Sequence, residues 1–237
     1  MMTALEIRPT VPETDYEAIA KIVSLVERED VSVERLHNWD NRLMEDDILD
    51  QYTAWADGEI VGYCSAFRSV TAKIPKMNLI VIVHPSAEKQ GYGSILYDTI
   101  LRRAQHHQST RLSAFVYEDR PHAVAFAENR GFEIRHHTFN SVLDVTSFDT
   151  APYTQLIRDI EAQGVRFSSL IAEGNNDVTL RKLYALNKRV AEDEPTHDGS
   201  SEHSYQTWKS YIAGADWFYP AGQLVAIDGE NFVGLGA

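Results

Sequence analysis

Cysteine is all but missing from this chain of 237 residues. Cys64 stands alone, which excludes an internal disulfide framework and a multi-cysteine zinc site. Long apolar runs are missing as well. No stretch reaches the ~18 consecutive apolar residues of a membrane-spanning helix, and Met1-Met2-Thr3-Ala4-Leu5-Glu6-Ile7-Arg8-Pro9 has no basic segment leading into an apolar one. A cytoplasmic protein with no membrane partner is expected. Positive charge is short too: 22 Lys and Arg stand against 35 Asp and Glu, a net charge of −13. That balance argues against sequence-independent nucleic-acid binding and favours a cationic substrate. What remains is an ordinary globular composition, 43% hydrophobic and 24% charged, enough for one large or two small domains.

The most informative segment is Val81-Ile82-Val83-His84-Pro85-Ser86-Ala87-Glu88-Lys89-Gln90-Gly91-Tyr92-Gly93-Ser94-Ile95-Leu96. An apolar strand passes through a glycine-bearing turn into an amphipathic helix. Gly91 and Gly93 remove side chains where a ligand must approach backbone N–H groups, and the helix turns its unsatisfied N-terminal donors to the same spot. An anionic ligand is implied. A P-loop would need Lys followed by Ser or Thr after its second glycine, but Ser94-Ile95 follows Gly93. A dinucleotide fingerprint would need a third glycine where Leu96 stands. Both nucleotide readings fail.

Around this turn the pattern suggests strand-helix alternation. A strand is expected at Leu5–Arg8, then a helix opened by Thr14 with Glu17 as a capping box, burying Ile19, Ile22, Val23 and Val26. A second helix follows at Val33–Arg42. Strands Gln51–Ala56 and Ile60–Arg68 flank Asp57-Gly58, a hairpin signal. Cys64 lies in the second of these and reads as a buried strand residue rather than an acyl-carrying nucleophile. Strand Met77–Val83, a helix from Gly93 to Gln105, and strand Arg111–Val116 come next. Asp119 and Pro121 mark a helix start and Gly131 its end.

The run Glu88-Lys89-Gln90-Gly91-Tyr92-Gly93, with the later Ala123-Val124-Ala125-Phe126-Ala127-Glu128-Asn129-Arg130-Gly131-Phe132-Glu133, resembles the acyl-CoA loop and closing helix of the GCN5-related N-acetyltransferases. The resemblance covers roughly residues 5 to 145, about one domain. It implies a mixed, mostly antiparallel sheet flanked by helices, with a long strand after Gly131-Phe132. It also implies acetyl-CoA as acyl donor, a small-molecule or peptide amine as acceptor, and direct attack without a covalent enzyme intermediate. Donor-binding residues would be Ile82, Val83, Glu88, Lys89, Gln90, Gly91, Tyr92, Gly93, Ser94 and Arg120. Three departures stand out. Glu88 replaces the usual Gln or Arg, Ala127 the thiolate-protonating tyrosine, and Arg120 an asparagine. Catalytic candidates therefore come from strand ends: His84, Tyr117 and Glu118. A non-catalytic acyl-CoA-binding regulatory module is the competing expectation.

After Asp149 the sequence begins again. Asp57-Gly58-Glu59-Ile60-Val61-Gly62 recurs as Asp228-Gly229-Glu230-Asn231-Phe232-Val233-Gly234, Trp39 has a counterpart in Trp208, and Asp15 in Asp177. Near-constant spacing is the mark of an internal repeat. Residues 1–148 are thus expected to form the acetyltransferase domain. Residues 149–237 would be a partial second copy, like that of the mycothiol synthase type, without an acyl-CoA loop, expected either to dock on the first domain or to mediate self-association as a homodimer. No metal site is expected, because His106-His107 and His136-His137 are adjacent pairs whose side chains diverge. The acidic loop Glu192–His203 reads as solvated and able to attract an amine, and Trp217, Phe218 and Tyr219 as core or docking surface.

Overall fold

A five-stranded sheet organises Met1–Ile134, the first of two units into which the chain divides; the second is Arg135–Ala237. The computed structural model describes residues 5–27, 29–69, 72, 74–139, 141–193, 204–215 and 218–236. In chain order the first unit runs β1 (Glu6–Pro9), α1 (Pro12–Glu27), α2 (Val33–Asp40), β2 (Ile48–Ala56), β3 (Glu59–Arg68), β4 (Lys76–Val83), α3 (Tyr92–His106), β5 (Arg111–Ser113) and α4 (Pro121–Glu128). The strand order is β1-β2-β3-β4-β5, antiparallel throughout except for the parallel pair β4 and β5. The α/β class and mostly antiparallel sheet implied by the resemblance are present.

Local chemistry accounts for most of this unit. Asp57 and Gly58 both take positive φ, +53° and +82°, as a tight hairpin turn requires. Alternation along the strands turns Ala54, Cys64, Ala66, Met77 and Leu79 to the face covered by Leu96, Ile100 and Ala104 of α3. The opposite face carries Ile60, Tyr63 and Ile82 under Tyr16, Ile19, Ile22 and Val23 of α1 and Leu36 of α2. Gly62 is required by space: a Cβ there would lie 2.8 Å from Leu96 Cδ1 and 2.9 Å from the Ile82 carbonyl oxygen. β1 is locked to α1 by Arg8, which donates to both oxygens of the fully buried Asp15 at 2.9 and 2.8 Å.

Three sequence expectations change here. α1 begins at Pro12 rather than behind a Thr14 cap, and the side chain that satisfies the first turn is Asp15, which accepts from the Val11 N–H at 2.8 Å. The strand expected over Arg111–Val116 stops at Ser113, because its neighbour is paired only as far as Asn78. No strand follows Gly131-Phe132 either; the described residues of 132–150 are without one. β-branched and aromatic residues make a strand only when a sheet edge receives them.

The second unit consists of α5 (Ala151–Glu161), β6 (Val165–Ser169), α6 (Asp177–Asp193), α7 (Tyr205–Trp208), a π turn over Lys209–Ala213, β7 (Leu224–Asp228) and β8 (Asn231–Gly236). Its sheet is ordered β6-β7-β8, antiparallel, over a core of Leu170, Leu183, Leu186, Trp208, Val225, Ile227 and Phe232. Ser32 caps α2 by accepting from the Arg35 N–H, and Ser204 caps α7 by accepting from the Thr207 N–H. The caps therefore pair Leu36, not Trp39, with Trp208. Leu36 and Trp208 are both buried, whereas Trp39 is exposed beside the Arg35 guanidinium. Phe218 packs on this core and Tyr219 is exposed. Trp217 and residues 194–203 of the acidic loop lie outside the described residues. Among those described, no helix is long and apolar enough to cross a membrane, and no group of three or more His, Cys, Asp or Glu could hold a metal ion.

Candidate active site

The first unit carries an opening in its sheet. β4 and β5 pair at Lys76 with Arg111, Met77 with Leu112 and Asn78 with Ser113, and no further. β4 runs on to Val83 against β3 alone, while the chain after Ser113 leaves the sheet, with Phe115 90% exposed. A wedge opens between Leu79–Val83 and residues 114–118. The direction of its hydrogen-bonding groups follows from one bond. The His84 N–H donates to the Val61 carbonyl of β3 at 2.8 Å. N–H groups alternate between the two edges of a strand, so that of Val83 points into the wedge.

At the end of β4 the chain turns sharply. Lys89 and Gly91 adopt positive φ, +61° and +86°. Gly91 is the left-handed N-cap of α3 and offers no side-chain cap. Its carbonyl already accepts from Ser94 and Ile95. The N–H groups of Tyr92 and Gly93, at the first two helical positions, have no intrahelical acceptor, so they and the positive end of the helix are available to an anion. Lys89, Gln90 and Gly91 are exposed. Gly93 lies between α4 and β4: a Cβ there would make ordinary van der Waals contact with Phe126 at 3.4 Å and Val83 at 3.6 Å. Ile82, by contrast, is buried in the core beneath α1 and supplies support rather than a contact surface.

Arg130, beside the same turn, carried no signal in the sequence. One arm of its guanidinium donates to Ser94 Oγ at 2.8 Å, the other to the Phe126 carbonyl at 3.0 Å, and the cation sits 3.5 Å from the Phe126 ring centroid. It fixes a positive charge beside the first turn of α3. Glu88 faces His122 at 3.8 Å and brings negative charge to the rim of the same turn, where an anion would meet it unfavourably.

The catalytic candidates separate. His84 Nδ1 accepts the Ser86 N–H at 3.2 Å and lies 2.7 Å from Ser86 Oγ. That bond leaves the neutral ring's proton on Nε2, so His84 caps the Pro85–Ala87 turn and is poorly disposed as a base. Tyr117 lies on the far wall of the wedge and donates to Glu27 Oε2 at 2.9 Å. This hydrogen bond, then burial, raises the Tyr117 pKa, so the hydroxyl stays protonated. Arg120 stacks on the Tyr117 ring, 5.1 Å from its centroid, and donates to the Val26 carbonyl. Its guanidinium thus meets the C-terminus of α1. Glu118 is exposed. The structure thereby adds Glu27, 90 positions before Tyr117, a pairing that no local sequence signal could reveal. Cys64 is buried behind the sheet and burial pushes its thiol up to about 12, which leaves no thiolate to carry an acyl group.

The sequence pattern of the Acetyltransferase (GNAT) family matches residues 16–132. No curated protein matches the chain. Among solved structures, the glucosamine N-acetyltransferase region of a fungal multi-domain GH3 beta-N-acetylglucosaminidase is similar over 98% of this chain, with TM-score 0.64 and 14% identity. This chain spans 27% of that protein. The PaiA N-acetyltransferase of Thermoplasma acidophilum in complex with coenzyme A aligns over 57% of this chain and 93% of its own, with TM-score 0.48 and 18% identity. An aminoglycoside N-acetyltransferase in complex with CoA aligns over 60% and 97%, with TM-score 0.49 and 17% identity.

Proposed function

We propose that this chain, whose residues 16–132 match the sequence pattern of the acetyltransferase (GNAT) family, moves an acetyl group from acetyl-CoA to a primary amine of a small molecule or peptide. Acyl-CoA-dependent acetyl transfer is the chemistry of the family and acetyl-CoA its donor. The observation that carries the reading is the coincidence of two features at one end of β4: a strand edge opened by the departure of β5, and a glycine-built helix N-terminus beside it. The first would receive the pantetheine arm as an added strand; the second would receive the pyrophosphate, with Arg130 beside it.

The acceptor arrives as an ammonium, pKa ~10.4, and must lose a proton before it can attack. Glu27 is the base in this proposal, held in place by the Tyr117 hydroxyl. The amine nitrogen attacks the thioester carbonyl carbon, the oxyanion that develops is met by the Val83 N–H, and the carbon–sulfur bond breaks. CoA leaves as a thiolate. Its pKa of ~8.5 makes an acid optional, consistent with Ala127 at the position of the usual tyrosine. The nitrogen's second proton passes to the thiolate or to water. The net charge of −13 and the Glu27 carboxylate suit a cationic acceptor. A homodimer in the cytoplasm completes the reading.

The test is a panel of primary amines incubated with acetyl-CoA while free thiol is measured. Amine-dependent thiol release above the hydrolysis background, with acetylated product identified by mass, is expected. Donor binding with no turnover on any amine would instead make the chain an acyl-CoA-binding regulatory module.

A further inference from the structure

Two walls of the sheet opening in the first unit come together at the last turn of α1. β4 and β5 part after Asn78 and Ser113. Counting four residues onward along each chain brings Ile82 on one side level with Tyr117 on the other, so Tyr117 stands across the opening from the Val83 N–H. The contacts with α1 agree with that count. Val26 packs against the cluster that holds Ile82. From the far wall, Arg120 donates to the Val26 carbonyl and Tyr117 to Glu27 Oε2, the latter at 2.9 Å. In the proposed site the oxyanion donor and the Tyr117 hydroxyl would therefore face the same thioester from opposite sides, while Ala127 has no side-chain proton to give.

The groups around that hydroxyl decide when it can act as an acid. The hydrogen bond to Glu27 is the largest cause that raises the Tyr117 pKa, and burial and the charges of Glu27 and Glu29 add to it. Arg120, 5.1 Å from the ring centroid, lowers it. Beside a carboxylate, then, Tyr117 is a poor acid. Protonation of Glu27 reverses this: the carboxylic acid no longer holds the phenol hydrogen and can donate its own to the phenol oxygen. What remains beside the ring is the Arg120 cation, which favours negative charge developing on the phenol.

We propose that Tyr117 is the acid that protonates the leaving CoA sulfur, resupplied by Glu27 and supported by Arg120. The step rests on the acetyl-transfer reading above and balances within it. Glu27 takes one proton from the acceptor ammonium, and the amine nitrogen attacks the thioester carbon. As the carbon–sulfur bond breaks, its electron pair goes to sulfur, the Tyr117 hydrogen passes to sulfur and the Glu27 hydrogen passes to the Tyr117 oxygen. Free thiol leaves. Tyr117 and the Glu27 carboxylate are restored, and the new amide nitrogen gives its surplus proton to water. The net transfer runs from a carboxylic acid, pKa ~4.3, to the conjugate base of a thiol, pKa ~8.5, and is downhill. One pair of side chains thereby serves as base and as acid in a single turnover.

The test compares Tyr117→Phe with the parent, as full chains and with an amine the parent acetylates, on two donors: acetyl-CoA and an acetyl thioester of a nitro-substituted thiophenol, whose thiol is the stronger acid. An acid matters most for the poorer leaving group. The variant should lose about tenfold in kcat/KM with acetyl-CoA and less than about twofold with the aryl thioester. The same loss with both donors overturns the proposal and leaves Tyr117 as the residue that positions Glu27. A second measurement needs only the parent: rates with acetyl-CoA in mixtures of light and heavy water. A curved dependence on deuterium content is expected, since two protons move in one step, and a linear or flat dependence overturns the proposal. A parent that binds acetyl-CoA but acetylates no amine overturns the transfer reading and this step with it.

Discussion

Tyr117 donates its hydroxyl hydrogen to the carboxylate of Glu27 at 2.9 Å, joining the wall of the sheet opening to the last turn of α1. If Glu27 is the base, Glu27→Gln should lower kcat about 10²- to 10³-fold while leaving acetyl-CoA affinity within a factor of about two. Tyr117→Phe keeps the carboxylate but frees it to swing, and should cost about tenfold. Steady-state kinetics with an accepted amine separates the two. Equal KM effects and an unchanged kcat in both variants would assign the pair to acceptor binding.

Arg130 gives a prediction of the opposite kind. Its guanidinium is held by Ser94, the Phe126 carbonyl and the Phe126 ring, and in the proposed site its charge would meet the donor before and during reaction alike. Arg130→Ala should raise the KM for acetyl-CoA about tenfold with kcat little altered. Arg130→Lys should recover only part of the loss, because a point charge cannot donate along two fixed arms.

Two glycines separate space from conformation. Gly62→Ala drives a Cβ to 2.9 Å from a backbone oxygen, and should destabilise by about 1–3 kcal/mol. Gly91→Ala meets nothing within 4 Å but forces alanine to φ near +86°, a strain of about 1–2 kcal/mol. Chemical denaturation measures both. Equal donor binding by Gly91→Ala and the parent would confirm that the cradle is made of backbone.

Asp15 sets a pH limit on the first unit. Burial pushes its carboxyl up, but the bonds from Arg8, the Val11 N–H and Thr14 outweigh it, and the net pKa lies below the ordinary value. A lowered carboxyl contributes stability that is present above the unfolded pKa of ~3.9 and is lost as pH falls through the folded value. Thermal midpoints should therefore decline below about pH 4. Asp15→Asn should flatten that decline and cost about 2 kcal/mol at neutral pH, because the amide keeps one acceptor oxygen and turns an N–H2 donor toward the other donors from Arg8, Val11 and Thr14.

The parts that were legible in the sequence are local ones. Asp57-Gly58 announces its hairpin, Gly91 announces the turn that opens α3, and the alternation through Ile60–Phe67 announces a two-faced strand with Cys64 inward. What stayed hidden depends on partners far away in the chain. Phe115, Val116 and Tyr117 are strand formers by composition, yet the strand ends at Ser113 because β4 and the chain part there. The bond from Arg120 to the Val26 carbonyl at the α1 C-terminus spans 94 positions. Glu27 carried no motif at all, since its role depends on a tyrosine ninety positions on. The Asp57-Gly58 and Asp228-Gly229 turns were legible too, whereas the contrast between exposed Trp39 and buried Trp208 was not.

The account rests on the claim that the turn from Glu88 to Ser94 holds acetyl-CoA. Calorimetric titration of acetyl-CoA into the parent protein and into Gly91→Trp, with circular dichroism confirming the fold of both, tests it most directly. Saturable binding to the parent, weakened about tenfold or more when an indole stands in the cradle, is the predicted result. A parent protein that fails to bind at millimolar acetyl-CoA would contradict it.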